Sequence, residues 1–126
     1  MAKIRILNRA GQAFEAKDGR TLLGGALAAQ VRWRYYCGGK ALCGTCAMLV
    51  VDGEVAPPDK LEQYFIEGWG YHPRYRLACQ AKVRGDCAVI NCSDAGFEKE
   101  AVLRVYEQAK ANQEPGGEQQ MKVDAP

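Results

Sequence analysis

The chain has no run of apolar residues near the ~20 that a membrane-spanning helix requires. Its first residues, MAKIRILNRAGQAF, lack the basic-then-apolar pattern of a secretory leader. Both absences point to a soluble protein of the cytoplasm, with no membrane insertion. A net charge of only +2 is too small to favour nucleic acid as a partner. The sequence holds no phosphate loop, no nucleophile–base pair and no paired carboxylates in a catalytic setting, so nothing argues for an enzyme. No internal repeat is present, and 126 residues suit one domain with a single modest core. What the chain has in excess is cysteine: six are too many for incidental core positions. In a reducing compartment such clusters bind metal more often than they form disulfides.

The apolar periodicity gives an α+β order. KIRIL (Lys3–Leu7) alternates as a half-buried strand does, and AFEAK can return as the second strand of a hairpin. DGRTLLGGALAAQ reads as a helix capped by Asp18 or Thr21, with Leu22, Leu23, Ala26 and Leu27 on one face. Gly24 and Gly25 would let it pack closely. AMLVVDGEV is a strand running into a turn at Asp52–Gly53. PPDKLEQYFIEGWG is a short acidic helix with Asp59 as cap and Gly68 at its exit. RLACQAKV and DCAVINC supply two further strands. A β-grasp (ubiquitin-like roll) packed on one main helix fits this order. Residues 1–95 would form that domain. Ser93 or Asp94 would cap a C-terminal helix over 96–111, with Ala101, Val102, Val105 and Ala109 at helical spacing; 112–126 would be a flexible tail.

The cysteines are spaced Cys37-x5-Cys43-x2-Cys46-x32-Cys79, with Cys87 and Cys92 beyond. Zinc would prefer two similar knuckles, and Cys43, Cys46, Cys87 and Cys92 form a conceivable four-thiolate set. That set leaves Cys37 and its glycine-rich loop unexplained. A two-iron cluster explains both, because its sulfurs need hydrogen-bond donors and backbone N–H groups can supply them. Gly38, Gly39 and Gly44 allow the main chain close to such sulfurs, while Ala41 and Leu42 can shield them from water. A Rieske-type centre is excluded, since it needs two histidines and His72 stands alone. Cys87 and Cys92 read most simply as small buried hydrophobes.

CGGKALCGTC, followed by a strand and DGE, then RLACQ and a closing DCAVI, resembles the adrenodoxin-type (bacterial and mitochondrial) [2Fe-2S] ferredoxins over about residues 3–92. The resemblance implies a β-grasp ferredoxin fold and a [2Fe-2S] cluster held by Cys37, Cys43, Cys46 and Cys79. It assigns Cys37 and Cys43 to the iron nearer the surface, and Cys46 and Cys79 to the inner one. It implies a one-electron carrier, not an enzyme, working between a ferredoxin reductase-like donor and an oxygenase- or reductase-like acceptor. The alternative is a redox-sensing or scaffold module whose C-terminal helix binds a partner. The family often has histidine after the third loop cysteine, where this chain has Ala47.

Charge is distributed unevenly. Lys3, Arg5, Arg9, Lys17, Arg20, Arg32, Arg34 and Lys40 face only Glu15 and Asp18 in the first 50 residues. Asp52, Glu54, Asp59, Glu62 and Glu67 follow against Lys60 alone, in the region where the family docks its partners. Asp59, Glu62 and Glu67 could therefore meet a basic surface. Arg76 reads either as a hydrogen-bond donor near Cys79 or to the loop backbone, or as a surface cap. Trp33, Tyr35 and Tyr36 read as cover for the cysteine loop rather than a stacking platform, and Trp69, Tyr71 and Tyr75 as packing.

Overall fold

The computed structural model describes residues 2–9, 12–35 and 45–113. Strands β1 (Ala2–Ile6) and β2 (Ala13–Ala16) form the expected antiparallel hairpin, with Ile4 opposite Phe14. Helix α1 (Leu22–Ala28) follows; Thr21 caps it by accepting from the Gly24 N–H, which settles the choice between Asp18 and Thr21. Leu22, Leu23 and Ala26 are buried as expected, whereas Leu27 points outward. Gly25 is needed for packing, since a Cβ there would stand 2.6 Å from Cβ of Ala16 on β2.

Strands β3 (Ala47–Val55), β4 (Tyr75–Leu77) and β5 (Val83–Asn91) complete a mixed five-stranded sheet in the order β2-β1-β5-β3-β4. The first strand pairs in parallel with the last, Ile4 against Cys87, which places β5 at the centre of a β-grasp sheet. Helix α2 (Lys60–Trp69) joins β3 to β4, and helix α3 (Lys99–Gln113) lies against β3 and β5. One core runs through hairpin, α1, β3–β5 and α3. Among the described residues, no helix is long and apolar enough to cross a membrane.

Several local expectations are corrected. Asp52–Gly53 is not a turn: β3 continues to Val55 and absorbs the pair through register shifts against β5. Its bulge takes Gly53 to φ +77°, and a tertiary partner explains why the strand does not reverse there. Arg74 donates from Nε to the Val50 carbonyl (2.9 Å) and from Nη2 to the Gly53 carbonyl (2.6 Å), satisfying acceptors at the irregular segment. Helix α2 runs past Gly68 to Trp69 and ends at Gly70. RLACQAKV is not one strand, because β4 stops at Leu77 and a turn intervenes before β5. Asp94 does not cap α3; it pairs with Arg9. The helix extends through Asn112 and Gln113, and the rest of the expected tail, 114–126, lies outside the described residues.

At Gly53 a Cβ would press on the Asp86 carbonyl oxygen and stand 2.9 Å from Cα of Cys87. Gly53→Ala is therefore expected to lose about 2 kcal/mol or more in denaturant unfolding. Gly68→Ala, in a helix with open space around it, should gain a few tenths to ~1 kcal/mol.

Candidate metal centre

Cys46 and Cys79, 33 residues apart, are brought together by strand register. Antiparallel pairing sets Ala47 against Leu77, and the next step outward joins the Ala78 N–H to the Cys46 carbonyl at 3.3 Å. The Cys79 N–H then donates to Cys46 Sγ (3.4 Å), and Gln80 Nε2 donates to Cys79 Sγ (3.7 Å). The turn carrying Cys79 is fixed from the other side by the first turn of α1. Leu23 N–H donates to the Ala78 carbonyl (2.9 Å) and Leu22 N–H to the Ala81 carbonyl (2.8 Å). These contacts occupy backbone donors that a helix start leaves open.

Both thiols are buried, and both sulfurs accept hydrogen bonds in the manner of ligating thiolates. The arrangement fits one side of a sulfur-ligated centre. Cys37 and Cys43 lie outside the described residues. Trp33 stands behind Cys46: buried, it donates from Nε1 to the Cys46 carbonyl at 3.0 Å, so it covers the site and is no stacking platform. Tyr35 is partly exposed, and Tyr36 lies outside the described residues. Ala47 is buried where a polar side chain would require a partner.

The zinc set does not assemble. Four strand residues, Ala88 to Asn91, separate Cys87 from Cys92, roughly 16 Å of extended chain, too far for one tetrahedral ion. Among the described residues, no group of three or more cysteine, histidine or acidic side chains could hold a metal ion. Cys87 and Cys92 are buried free thiols. Burial pushes the Cys87 thiol up to about 11 and the Cys92 thiol up to about 12, so both stay neutral near pH 7.

A family profile described as a 2Fe-2S iron-sulfur cluster binding domain matches residues 5–84. The chain belongs to the [2Fe-2S] ferredoxin family. A 2Fe-2S ferredoxin of Pseudomonas aeruginosa is 36% identical over 83 residues, covering 64% of this chain and 74% of that one. The ISC-like [2Fe-2S] ferredoxin FdxB of Pseudomonas putida superposes with TM-score 0.60 at 26% identity, covering 71% of this chain and 91% of that one. A putidaredoxin variant shares the fold, with TM-score 0.56 at 23% identity over 71% of this chain and 95% of its own. The ferredoxin resemblance carried by the cysteine loop is thereby borne out, together with the β-grasp fold and the [2Fe-2S] cofactor.

Sequence reasoning missed the group that anchors this ferredoxin site. Glu62, expected on an exposed docking face, is 0% exposed. Arg76 reaches it through Nε (2.6 Å) and Nη2 (2.8 Å), and the Leu77 N–H donates to it at 2.9 Å. Arg76 is thus not a surface cap: among the described residues its guanidinium donates to Glu62, and residues 36–44 of the cysteine loop lie outside them. The only sequence signal was a carboxylate and an arginine flanking one short segment, which does not reveal burial. His72 packs on Tyr106 of α3 with ring centroids 4.5 Å apart, and its Nδ1 accepts from the Arg74 N–H (3.0 Å). Desolvation lowers its pKa, and the acceptor role of Nδ1 suits the neutral ring. Tyr71 and Tyr75 pack edge to face as expected, but Trp69 is exposed.

Glu62→Gln leaves the Arg76 charge without its counter-ion in a nearly dry setting. A loss of about 3 kcal/mol in denaturant unfolding is expected, against under ~1 kcal/mol for Glu67→Gln on the exposed side of α2.

Proposed function

We propose that this chain is a cytoplasmic one-electron carrier whose cluster is held by Cys37, Cys43, Cys46 and Cys79. The observation carrying the proposal is that, where β3 begins and just past the end of β4, the Cys79 N–H donates to the Cys46 sulfur and the Gln80 amide to the Cys79 sulfur. When bound, the cluster supplies a one-electron redox couple. The chain supplies the rest. The Cys79 N–H and the Gln80 amide aim the positive ends of their dipoles at sulfur, which favours added negative charge. Trp33, Ala47 and Ala78, all buried, keep water from the inner side of the site. The free thiols Cys87 and Cys92 suit a reducing compartment.

The partners we propose are a ferredoxin reductase-like donor and an oxygenase- or reductase-like acceptor, meeting the protein through α2. That helix exposes Leu61, Tyr64 and Trp69 at 46%, 80% and 72%. Its acidic groups are less available: Asp59 caps the helix, Glu62 is buried and Glu67 accepts from Gln63 (2.9 Å). Docking there would rest on aromatic anchors more than on charge.

Cys46→Ser and Cys79→Ser are each expected to lose most of the visible absorption and the EPR signal of the reduced protein. Cys87→Ser and Cys92→Ser should retain both. Full retention in Cys79→Ser would defeat the ligand assignment. In a reductase-coupled cytochrome c assay, Tyr64→Ala and Trp69→Ala should each raise the KM for the ferredoxin about ten-fold. Glu67→Gln should change it less than three-fold.

A further inference from the structure

Away from the cysteines, three arginines line one cavity of about 220 Å³. Arg74 immediately precedes β4, Arg76 lies within it and Arg84 comes from β5. Arg74 and Arg76 are two positions apart, so they share a strand face while Tyr75 and Leu77 are buried on the other. Val55 and Pro57 add apolar wall, and Glu54 is the carboxylate of the lining.

Two of the guanidinium groups are held before any ligand arrives. Arg74 is tied to the Val50 and Gly53 carbonyls, and Arg76 to Glu62. In each the second terminal nitrogen, Nη1, has no hydrogen bond among the described residues. Glu62 neutralises Arg76. Nothing comparable neutralises Arg74: its acceptors are uncharged carbonyls, and among the described residues neither it nor Arg84 makes an ion pair. A half-buried guanidinium without a counter-charge retains much of its desolvation cost. An anion in the cavity would offset that cost. It would also find planar donor forks already ordered, so little side-chain entropy is lost on binding.

We propose that this cavity is a binding site for a small oxyanion, a carboxylate or a phosphate, held by Arg74, Arg76 and Arg84. Its volume lies below the ~300–1,000 Å³ of sites for drug-sized ligands, which matches a small anion with a short apolar body better than a nucleotide. Arg84 is exposed and strengthens the site without building the fold. Glu54, also exposed, opposes the ligand by like charge.

The test is titration of the holoprotein with inorganic phosphate and, separately, with acetate, at ionic strength held constant with sodium chloride. Binding is read by calorimetry and by the thermal midpoint. Saturable binding of either anion is expected, weakened about ten-fold in Arg84→Gln and tightened in Glu54→Gln. The two arms identify which oxyanion the site prefers. Neither side chain makes a hydrogen bond or ion pair among the described residues, so unchanged visible absorption will confirm that both variants are intact. Absence of saturable binding with both anions, or equal binding in wild type and both variants, overturns the proposal.

Discussion

The buried pair between Arg76 and Glu62 is the constraint on which the geometry around the metal centre depends. One carboxylate with no solvent contact takes two guanidinium donors and the Leu77 N–H, fastening the first turn of α2 to the end of β4. Two residues later the chain reaches Cys79. Pairs of this kind contribute little net stability, because desolvation offsets the Coulomb attraction. Their effect here is geometric: three directed hydrogen bonds permit one placement of α2 on the sheet. That placement also decides which face of α2 is left outside, and so makes Tyr64 and Trp69 surface residues.

The same strand edge carries a second arginine with a different task. Arg74 satisfies carbonyls at the irregular middle of β3, where register shifts against β5 interrupt the regular ladder. The bulge, the arginine and the positive φ of Gly53 are parts of one arrangement. The bulge needs a residue tolerant of that φ, it disturbs the ladder, and the guanidinium supplies donors that the neighbouring strand does not. Because the acceptors are neutral, the arrangement leaves a positive charge beside the sheet. Electrostatics of the β3–β4 edge therefore follow from a backbone irregularity, not from the charged residues of the sequence counted by region.

How much of this was legible depended on the range of each signal. The hairpin, the Thr21 cap region and the Asp59 cap are written within a few residues, and the structure has them. The cysteine spacing combines a local loop with one distant cysteine, and it is specific enough to indicate the family. Asp52–Gly53 carries a strong local turn signal, yet pairing with a long β5 overrides it. Glu62 was read as surface because its helix is acidic, and its partner lies 14 residues away across a packing contact that no periodicity encodes. Trp69 was assigned to packing on aromatic character alone, whereas the orientation of α2, set by Glu62, turns it outward. The errors share one origin: each local preference was overruled by the placement of a neighbouring element.

The C-terminal helix belongs in that account. In β3 every residue from Ala47 to Val51 is buried, and in β5 every residue from Cys87 to Asn91. A strand with one wet face alternates, so these continuous buried runs need cover on both faces. Helix α3 provides it on one of them, burying Val102, Tyr106 and Ala109 and lying against β3 and β5. His72, at the start of the segment leading to Arg74 and Arg76, packs its ring at a tilt against Tyr106 and joins the helix to the same edge. The apolar stripe of α3 is therefore consumed within the molecule. A partner that reads this helix would have to do so through its polar outer face, and removing the helix would uncover the middle of the sheet that aligns Cys46 with Cys79.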